Sequence, residues 1–201
     1  MNQHPLDPNQ LRSGESYVRV VLGECELTGS VLGELSFEAC RLQGVKASKT
    51  VWSEVSLVET SIDDCNLSNA DWAGARCNRS TFSRCRMTGW DATAATLRGV
   101  EFGGCKLNLA LLHETRFNDC TFERCDLREA DFQGATLKNV RFRDCDLRGT
   151  RFAGATLSEI DLRGSHIAGI EVDGVALRGT RVDVAQLPDV AYLFGVIVGG
   201  R

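Results

Sequence analysis

The chain has 201 residues, of which 43% are hydrophobic and 25% are charged, and its formal net charge is −4. This composition is ordinary for a soluble protein, and the slight negative charge argues against a general attraction to nucleic acids or anionic membranes. No apolar run is long enough to span a bilayer, and the N-terminus lacks the pattern of a signal peptide. We therefore expect a cytoplasmic protein that binds neither nucleic acid nor membrane directly.

Residues 1–14 carry Pro5 and Pro8 and show no repeat, whereas every fifth residue from Tyr17 to Val182 is apolar, without an insertion or deletion. A period of five fits neither the helical period of 3.6 nor the strand period of 2.0, so it indicates a repeat architecture. We call the apolar position the large slot. The residue two positions earlier is small or β-branched and is called the small slot. Glycine is frequent two positions after the large slot, where it favours a tight turn.

The segments 70–74 (ADWAG) and 125–129 (CDLRE) show the repeat clearly. They resemble the pentapeptide-repeat family, whose consensus is roughly Ala-(Asp/Asn)-Leu-x-x. The resemblance covers residues 15–184 and implies an all-β fold, a right-handed quadrilateral parallel β-helix with four pentapeptides per coil. At about 4.8 Å per coil, the rod would be roughly 40 Å long. Residues 1–14 would form an N-terminal cap, and residues 185–201 a C-terminal capping or dimerisation segment that contains a short helix.

A coil of twenty residues stacks side chains that lie twenty positions apart in the sequence. Such stacking predicts interior columns of like residues, packed along the axis of the rod. The expected columns are Phe82, Phe102, Phe122 and Phe142 in the first, Trp52, Trp72, Phe132 and Phe152 in the second, and Cys65, Cys85, Cys105, Cys125 and Cys145 in the third.

The nine cysteines follow the repeat rather than a disulfide pattern. Eight of them occupy small slots, where they alternate with Ala, Val, Thr and Ser, and Cys77 occupies a large slot. This indicates free cysteine used as a small buried hydrophobic residue in a reducing compartment. No histidine lies beside a cysteine in a metal-binding arrangement, so we expect no metal and no cofactor. A redox role for the cysteine column is the weaker alternative, because buried thiols react slowly.

The coil around Trp90 is the least regular, since Trp90 occupies a small slot and Ala92 occupies a large one. We interpret this as a local exchange of sizes, in which the indole fills the space that the alanine leaves. The alternative is a local bulge that displays a recognition surface.

The period of twenty also sorts the outward residues onto four faces. The face built on Trp52 and Trp72 carries eight acidic residues and one base, Arg151, whereas the other three faces are close to balanced. We call it the acidic face. Chance scatter on a solvated surface is one explanation. The other, which we favour, is a partner-binding surface that imitates nucleic-acid charge and is steered to a basic groove. Its acidic residues are Glu34, Glu54, Asp71, Asp91, Glu114, Asp131, Glu171 and Asp173.

The C-terminal segment predicts a short helix that opens near Pro188 and ends at Gly195, followed by an extended stretch from Val196. Its apolar residues are too numerous to face water, so they cap the last coil or bury against a partner. We predict a homodimer joined at the C-terminal ends, with a purely intramolecular cap as the alternative. The predicted interface residues are Leu187, Val190, Tyr192, Leu193, Phe194, Val196 and Ile197.

The segments 179–183 (GTRVD) and 193–200 (LFGVIVGG) resemble the ending of the topoisomerase-protecting pentapeptide-repeat proteins, the Qnr-type and MfpA-like fluoroquinolone-resistance proteins and the immunity proteins of gyrase-poison producers. That resemblance implies a dimeric DNA mimic that binds DNA gyrase or topoisomerase IV. The loops that interrupt Qnr-type rods are absent here, so the unbroken register is more similar to the MfpA-like branch.

No catalytic constellation is visible in the sequence. Segment 103–106 (GGCK) lacks the spacing of a phosphate-binding loop, and the three histidines are dispersed. We therefore expect a binding protein rather than an enzyme. A structural scaffold for another protein partner is the alternative function.

Overall fold

The structure of the protein, a computed structural model, describes residues 3–196. The chain winds into a parallel β-helix of about eight turns, closed by one short C-terminal helix, α1 (Leu187–Leu193). The fold class predicted from the repeat is confirmed. Two short 3-10 helices, Pro8–Gln10 and Val184–Gln186, lie near the two ends.

Two sides of the rod are eight-stranded parallel sheets, and each coil adds one strand to each sheet. We call them the odd sheet and the even sheet after the numbers of their strands. The odd sheet consists of β1 (His4–Pro5), β3 (Val20–Leu22), β5 (Arg41–Gln43), β7 (Ser61–Asp63), β9 (Thr81–Ser83), β11 (Glu101–Gly103), β13 (Thr121–Glu123) and β15 (Arg141–Arg143). The even sheet consists of β2 (Ser16–Val18), β4 (Ser36–Glu38), β6 (Ser56–Val58), β8 (Arg76–Asn78), β10 (Thr96–Arg98), β12 (Arg116–Asn118), β14 (Thr136–Lys138) and β16 (Thr156–Ser158).

The other two sides hold together through isolated bridges and turns instead of strands. Asp71 bridges Asp91 on one of these sides, and Lys46 bridges Asn66 on the other. Apart from β1, whose His4 pairs with Val20, the register is twenty residues on all four sides; in the odd sheet, for example, Phe102 pairs with Phe122. Every coil therefore places equivalent positions above one another, as the sequence predicts.

Both core slots are buried from Leu35 to Ala155, and they form one continuous apolar core along the axis. The phenylalanine column lies beneath the odd sheet, with stacked ring centroids 4.9 Å apart for Phe82–Phe102, 4.6 Å for Phe102–Phe122 and 5.0 Å for Phe122–Phe142. These spacings follow the separation of paired strands, about 4.8 Å. The predicted phenylalanine column is confirmed.

The corners of the rod use the left-handed backbone region at the position two residues after the large slot. Glycine occupies many of these positions, but nineteen non-glycine residues also have positive φ there, among them Glu54 and Glu114, each at φ 55°. Such residues rarely adopt this region alone. Here the hydrogen bonds between coils hold them in it; the Glu54 N–H, for instance, donates to the carbonyl of Ala73 at 3.1 Å.

The cysteines are free thiols, and all except the half-buried Cys25 are buried. A small-slot thiol donates to backbone carbonyls, as Cys120 does to Leu97 at 3.5 Å and Asn118 at 3.4 Å. Thr115 makes the equivalent bonds from the same slot. Burial raises the pKa of Cys77 to about 12 and that of Cys120 to about 11. These two thiols are therefore less reactive than an exposed cysteine.

At the first coil, β1 extends the odd sheet and Leu11 is buried against the core. At the last coil, Gln186 is buried and donates to the carbonyls of Leu162 (2.7 Å) and Ser165 (2.6 Å). The sequence repeat continues to Val182, but the burial of its slots ends earlier. Val175, for example, occupies a small slot and is 78% exposed. Within residues 3–196, no helix is long and apolar enough to cross a membrane.

Candidate partner-binding site

The acidic face is one of the two bridge sides. In the order of the chain it precedes the even sheet and lies opposite the odd sheet. Its outward acidic residues occupy three kinds of position. Glu34, Glu54 and Glu114 stand at left-handed corners after the large slot. Asp71, Asp91, Asp131 and Glu171 stand directly before the large slot, and Asp173 directly follows it.

The aspartates before the large slot are fixed by the turns that follow them. The N–H of Ala73 donates to Asp71 Oδ1 at 2.9 Å, and the N–H of Thr93 donates to Asp91 Oδ1 at 2.8 Å. Each carboxylate is half-buried and keeps its second oxygen outside this turn. Asp71 and Asp91 therefore present negative charge at fixed points of the surface.

Asp131 is an exception, because its side chain is buried between two basic neighbours on the same face. Arg151 Nη2 lies 2.7 Å and His113 Nε2 lies 3.0 Å from Asp131 Oδ2, and the Gln133 N–H donates to Oδ1 at 3.0 Å. Burial raises the pKa of Asp131, but the His113 ring, the Gln133 N–H and Arg151 together lower it below its ordinary value. Asp131 is thus ionised and neutralised, and it offers no accessible charge to a partner.

The remaining acidic residues of this face are exposed. Glu54 lies 3.9 Å from Arg76 on the adjoining even sheet, a separation that gives little stabilisation at an exposed site. Seven of the eight predicted acidic residues therefore lie at the surface of one side of the rod, with a neutralised gap at Asp131. The exposed members are Glu34, Glu54, Glu114, Glu171 and Asp173.

The even sheet shows the opposite charge. Arg76, Arg98, Arg116 and Lys138 place one cation on each of four successive coils, alternating between the first and third position of the strand. Among residues 3–196, Arg98, Arg116 and Lys138 make no ion pair, whereas Arg76 Nη2 lies 3.9 Å from Glu54 Oε2. The acidic face therefore borders a row of cations on the middle strands of the even sheet.

Inside the acidic face, the irregular coil keeps its register. Trp90 is 1% exposed, and its ring centroid lies 5.8 Å from Trp72, 6.1 Å from Phe82 and 6.4 Å from Phe102. The indole fills the space beside Ala92, so the interpretation as an exchange of sizes is confirmed. The alternative, a backbone bulge, is wrong, because Asp91 still bridges Asp71 and Leu111.

Two side chains that the sequence reasoning missed lie on the coil after Trp90. Leu109 is 49% exposed and Leu111 is 38% exposed, and both occupy outward positions. The signal was present in the sequence, because a large apolar residue at an outward position breaks the pattern. Counting the charged residues on each face does not reveal exposed apolar residues, so these two leucines were missed.

At the C-terminal end, helix α1 begins with Pro188 in its first turn and is followed by Gly195 at φ 70°, as predicted. Val190 and Leu193 pack against the core. The ring of Phe194 lies where a Cβ on Gly174 would stand. Ile197 lies outside the described residues. The other predicted interface residues are half or more exposed: Leu187, Tyr192, Phe194 and Val196.

The geometry of the repeat agrees with the comparison to family models. A model described as a pentapeptide repeat region matches residues 95–172, and a model of eight pentapeptide repeats matches residues 36–71 and 60–99. The chain belongs to the pentapeptide-repeat family. No curated protein matches it.

Several solved structures of this family are similar to the chain. A trypsin-treated form of QnrB1, a plasmid-mediated fluoroquinolone resistance protein, is 19% identical, with 98% of this chain and 97% of that chain covered and a TM-score of 0.45. HetL of Nostoc sp. strain PCC 7120, involved in heterocyst differentiation regulation, is 18% identical over 84% and 89% of the chains, with a TM-score of 0.29. Rfr23 of Cyanothece 51142 is 26% identical over 54% and 64%, with a TM-score of 0.32. At these values the likeness concerns the fold and carries no function.

Proposed function

We propose that this pentapeptide-repeat protein is a non-catalytic binding protein. Its acidic face docks into a basic, DNA-binding groove of DNA gyrase or topoisomerase IV, in the cytoplasm, and protects these enzymes from topoisomerase poisons or modulates their action. The observation that carries the proposal is the one-sided charge: seven accessible carboxylates share one side of a rigid rod. The resemblance of the tail to topoisomerase-protecting proteins supports the choice of partner.

Electrostatics explains how such a face would find its partner. A rod with one acidic side is steered to a basic groove, and mutual attraction raises the rate of association. The acidic face is less densely charged than B-DNA, which carries one charge per about 1.7 Å of its axis. The mimicry is therefore partial, and the complex depends on complementarity with the basic groove along the length of the rod.

We further propose that two copies join at their C-terminal ends. Leu187, Tyr192, Phe194 and Val196 leave apolar surface exposed at one end of the rod, and an exposed apolar cluster of this kind marks an interaction site. A dimer would double the length of the acidic rod. Sedimentation of wild type and Tyr192→Lys tests this point, since a wild-type monomer at micromolar concentration would contradict it.

A structural scaffold for another protein partner is the second candidate. The observation that favours it is a row of cations on the even sheet, Arg98, Arg116 and Lys138, which form no ion pair within residues 3–196. A pure DNA mimic has no use for them. In that case a partner would engage the even sheet, and the acidic face would serve solubility.

The deciding experiment is a supercoiling assay with purified gyrase, with and without a fluoroquinolone. It uses wild type and the double variant Glu54→Lys/Glu114→Lys. Both glutamates are exposed at left-handed corners, and Lys49 shows that lysine is accommodated at such a corner. We expect the double variant to bind gyrase about tenfold or more weakly, since each reversal removes one attraction and adds one repulsion.

The matched control is Asp144→Lys/Glu159→Lys, which makes the same change of charge at exposed left-handed corners of the two sheet sides. It should leave binding nearly unchanged, and the wild-type complex should weaken as salt rises. Equal effects of the two double variants would show that net charge, rather than the acidic face, matters. Absence of any effect on gyrase would leave the scaffold candidate.

A further inference from the structure

The middle of the rod exposes two large apolar side chains, and they are neighbours. Between Val31 near the first coil and Val175 near the last, the large hydrophobic residues that are exposed are Leu109 (49%) and Leu111 (38%). Isolated exposed apolar residues are normal in proteins. Two of them, placed together at the centre of a surface that is otherwise polar, are unusual and indicate a role for this part of the surface.

Leu111 belongs to the acidic face itself. It stands directly before the large-slot residue Leu112 and bridges Asp91 on one side and Asp131 on the other. Leu109 stands at the corner where the second bridge side meets the acidic face. The pair therefore occupies the middle of the acidic face, beside the neutralised gap at Asp131.

Leu109 is held in an unfavourable backbone conformation. Its φ is 60°, and it is the one residue with a large apolar side chain that has a positive φ within residues 3–196. The equivalent corners of neighbouring coils carry Lys49, Asn69, Gly89 and Glu129. Asparagine and glycine adopt this region with little strain, whereas leucine does not. Lys49 and Glu129 are held in the same conformation by the bonds between coils, so Leu109 differs from the other corners in its exposed apolar side chain rather than in its backbone.

The pair is also rigidly supported from below. The N–H of Leu111 donates to the carbonyl of Trp90 at 2.9 Å, and the N–H of Ala92 donates to the carbonyl of Leu111 at 2.8 Å. The coil beneath is the one in which the buried indole replaces the large-slot side chain. Because the backbone is already fixed, burial of these side chains in a complex carries no cost of ordering a loop.

Asp91, Glu114 and Glu129 occupy outward positions around the two leucines. His113 lies on the same face, and Arg128 adjoins Leu109, whose N–H donates to the Arg128 carbonyl at 3.0 Å. An apolar centre within a charged rim is the anatomy of an interface in which a few central residues supply most of the binding energy. Nucleic acid does not fit this surface, because the rim repels phosphate.

We propose that Leu109 and Leu111 form an apolar anchor that inserts into an apolar depression, ringed by cationic side chains, on a protein partner. The inference rests on the proposed function, in which that partner is a type II topoisomerase. It adds that recognition is not by charge imitation alone. Part of the affinity should therefore survive at salt concentrations that screen the acidic face.

The test measures binding of purified gyrase to Leu111→Asp, Leu109→Asn and Val31→Asp at low and high salt. Val31 is 72% exposed and precedes a large-slot residue on the same face, so Val31→Asp is the matched control. Recognition by charge alone predicts that Leu111→Asp binds as tightly as wild type or more tightly. The anchor predicts a loss of about tenfold or more for Leu111→Asp, and a similar loss for Leu109→Asn.

Thermal melting separates this effect from misfolding, because Leu109→Asn relieves backbone strain and should melt at the wild-type temperature or above. Equal binding of Leu111→Asp and Val31→Asp would overturn the anchor and leave the proposed function standing. Failure of wild type to bind gyrase at any salt would overturn the proposed function and the anchor with it. Loss of self-association by Leu111→Asp with unchanged gyrase binding would identify a contact between copies and overturn the anchor.

Discussion

The two aromatic columns of the core solve the same packing problem in different ways. Beneath the odd sheet, one phenylalanine per coil stacks on the next from Phe82 to Phe142. Beneath the acidic face, the column begins with Trp52 stacked on Trp72 at 5.6 Å and then meets Ala92, a side chain far too small to continue it. Trp90 reaches in from the neighbouring small slot and restores the contacts.

The difference shows that the repeat conserves filled volume within a coil rather than a residue type at each slot. Protein interiors are packed to high density, so a volume lost at one slot must be supplied nearby. The register of the backbone, which depends on the hydrogen bonds between coils, is untouched by the exchange. The exposed Leu111 lies on the next coil, whose backbone is bonded to this exchanged pair.

The largest expected effect comes from Trp90→Ala, which leaves a cavity beside Ala92 where the indole packs. Trp90 contacts aromatic residues of both columns, so its loss should lower the free energy of unfolding by about 3–5 kcal/mol. Phe102→Ala, in the regular column, should cost a similar amount. Urea unfolding of both variants measures the difference. A loss of less than about 1 kcal/mol for Trp90→Ala, beside a large loss for Phe102→Ala, would show that the indole does not replace a column member.

The next effect is smaller and tests the exchange directly. Ala92→Phe restores the regular slot but overfills the coil while Trp90 remains, so it should cost about 1–3 kcal/mol. In the Trp90→Ala background the same change should cost less or should stabilise the protein, because it fills the cavity. The double-mutant cycle measures this coupling. Additive changes in the free energy of unfolding would mean that the two slots pack independently.

The fold could be predicted from the sequence because one physical requirement repeats without interruption. Every large slot from Tyr17 onward must be apolar, so a register of five survives at Ala92 and Cys77 alike. The left-handed conformation of the corners was harder to predict. The frequent glycines indicate it, but Glu54 and Leu109 also adopt it, because the hydrogen bonds between coils outweigh the local backbone preference of these residues.

The candidate site could be predicted only in part. The period of twenty places Asp131, His113 and Arg151 on one face, but counting their charges does not reveal that they touch one another. The ends escape prediction for a related reason. Val175 continues the period, but it stays exposed because no further regular coil stacks on it.

Asp131→Asn tests a contact on the outside of the rod. Asp131 is a buried charged residue on the acidic face, whose core column is the irregular one. The change leaves Arg151 without its carboxylate and should cost about 1–2 kcal/mol near neutral pH. The lowered pKa of Asp131 means that its contribution is complete above the ordinary aspartate pKa of about 3.9 and is lost as the pH falls through the folded-state pKa. Urea unfolding should show the gap between wild type and variant closing below about pH 4. A gap that persists there would mean that the ion pair contributes little.

The smallest effect is expected at the small slots, where the residue type changes most freely along the chain. Cys120 and Thr115 both donate to backbone carbonyls from this slot, so Cys120→Thr keeps the hydrogen bonds at nearly constant volume. It should change the free energy of unfolding by less than about 1.5 kcal/mol. Cys120 lies outside the predicted cysteine column, so the measurement tests whether a small-slot thiol is needed for anything beyond packing. A large loss of stability, or a changed response of gyrase binding to oxidant, would show that the sulfur itself matters.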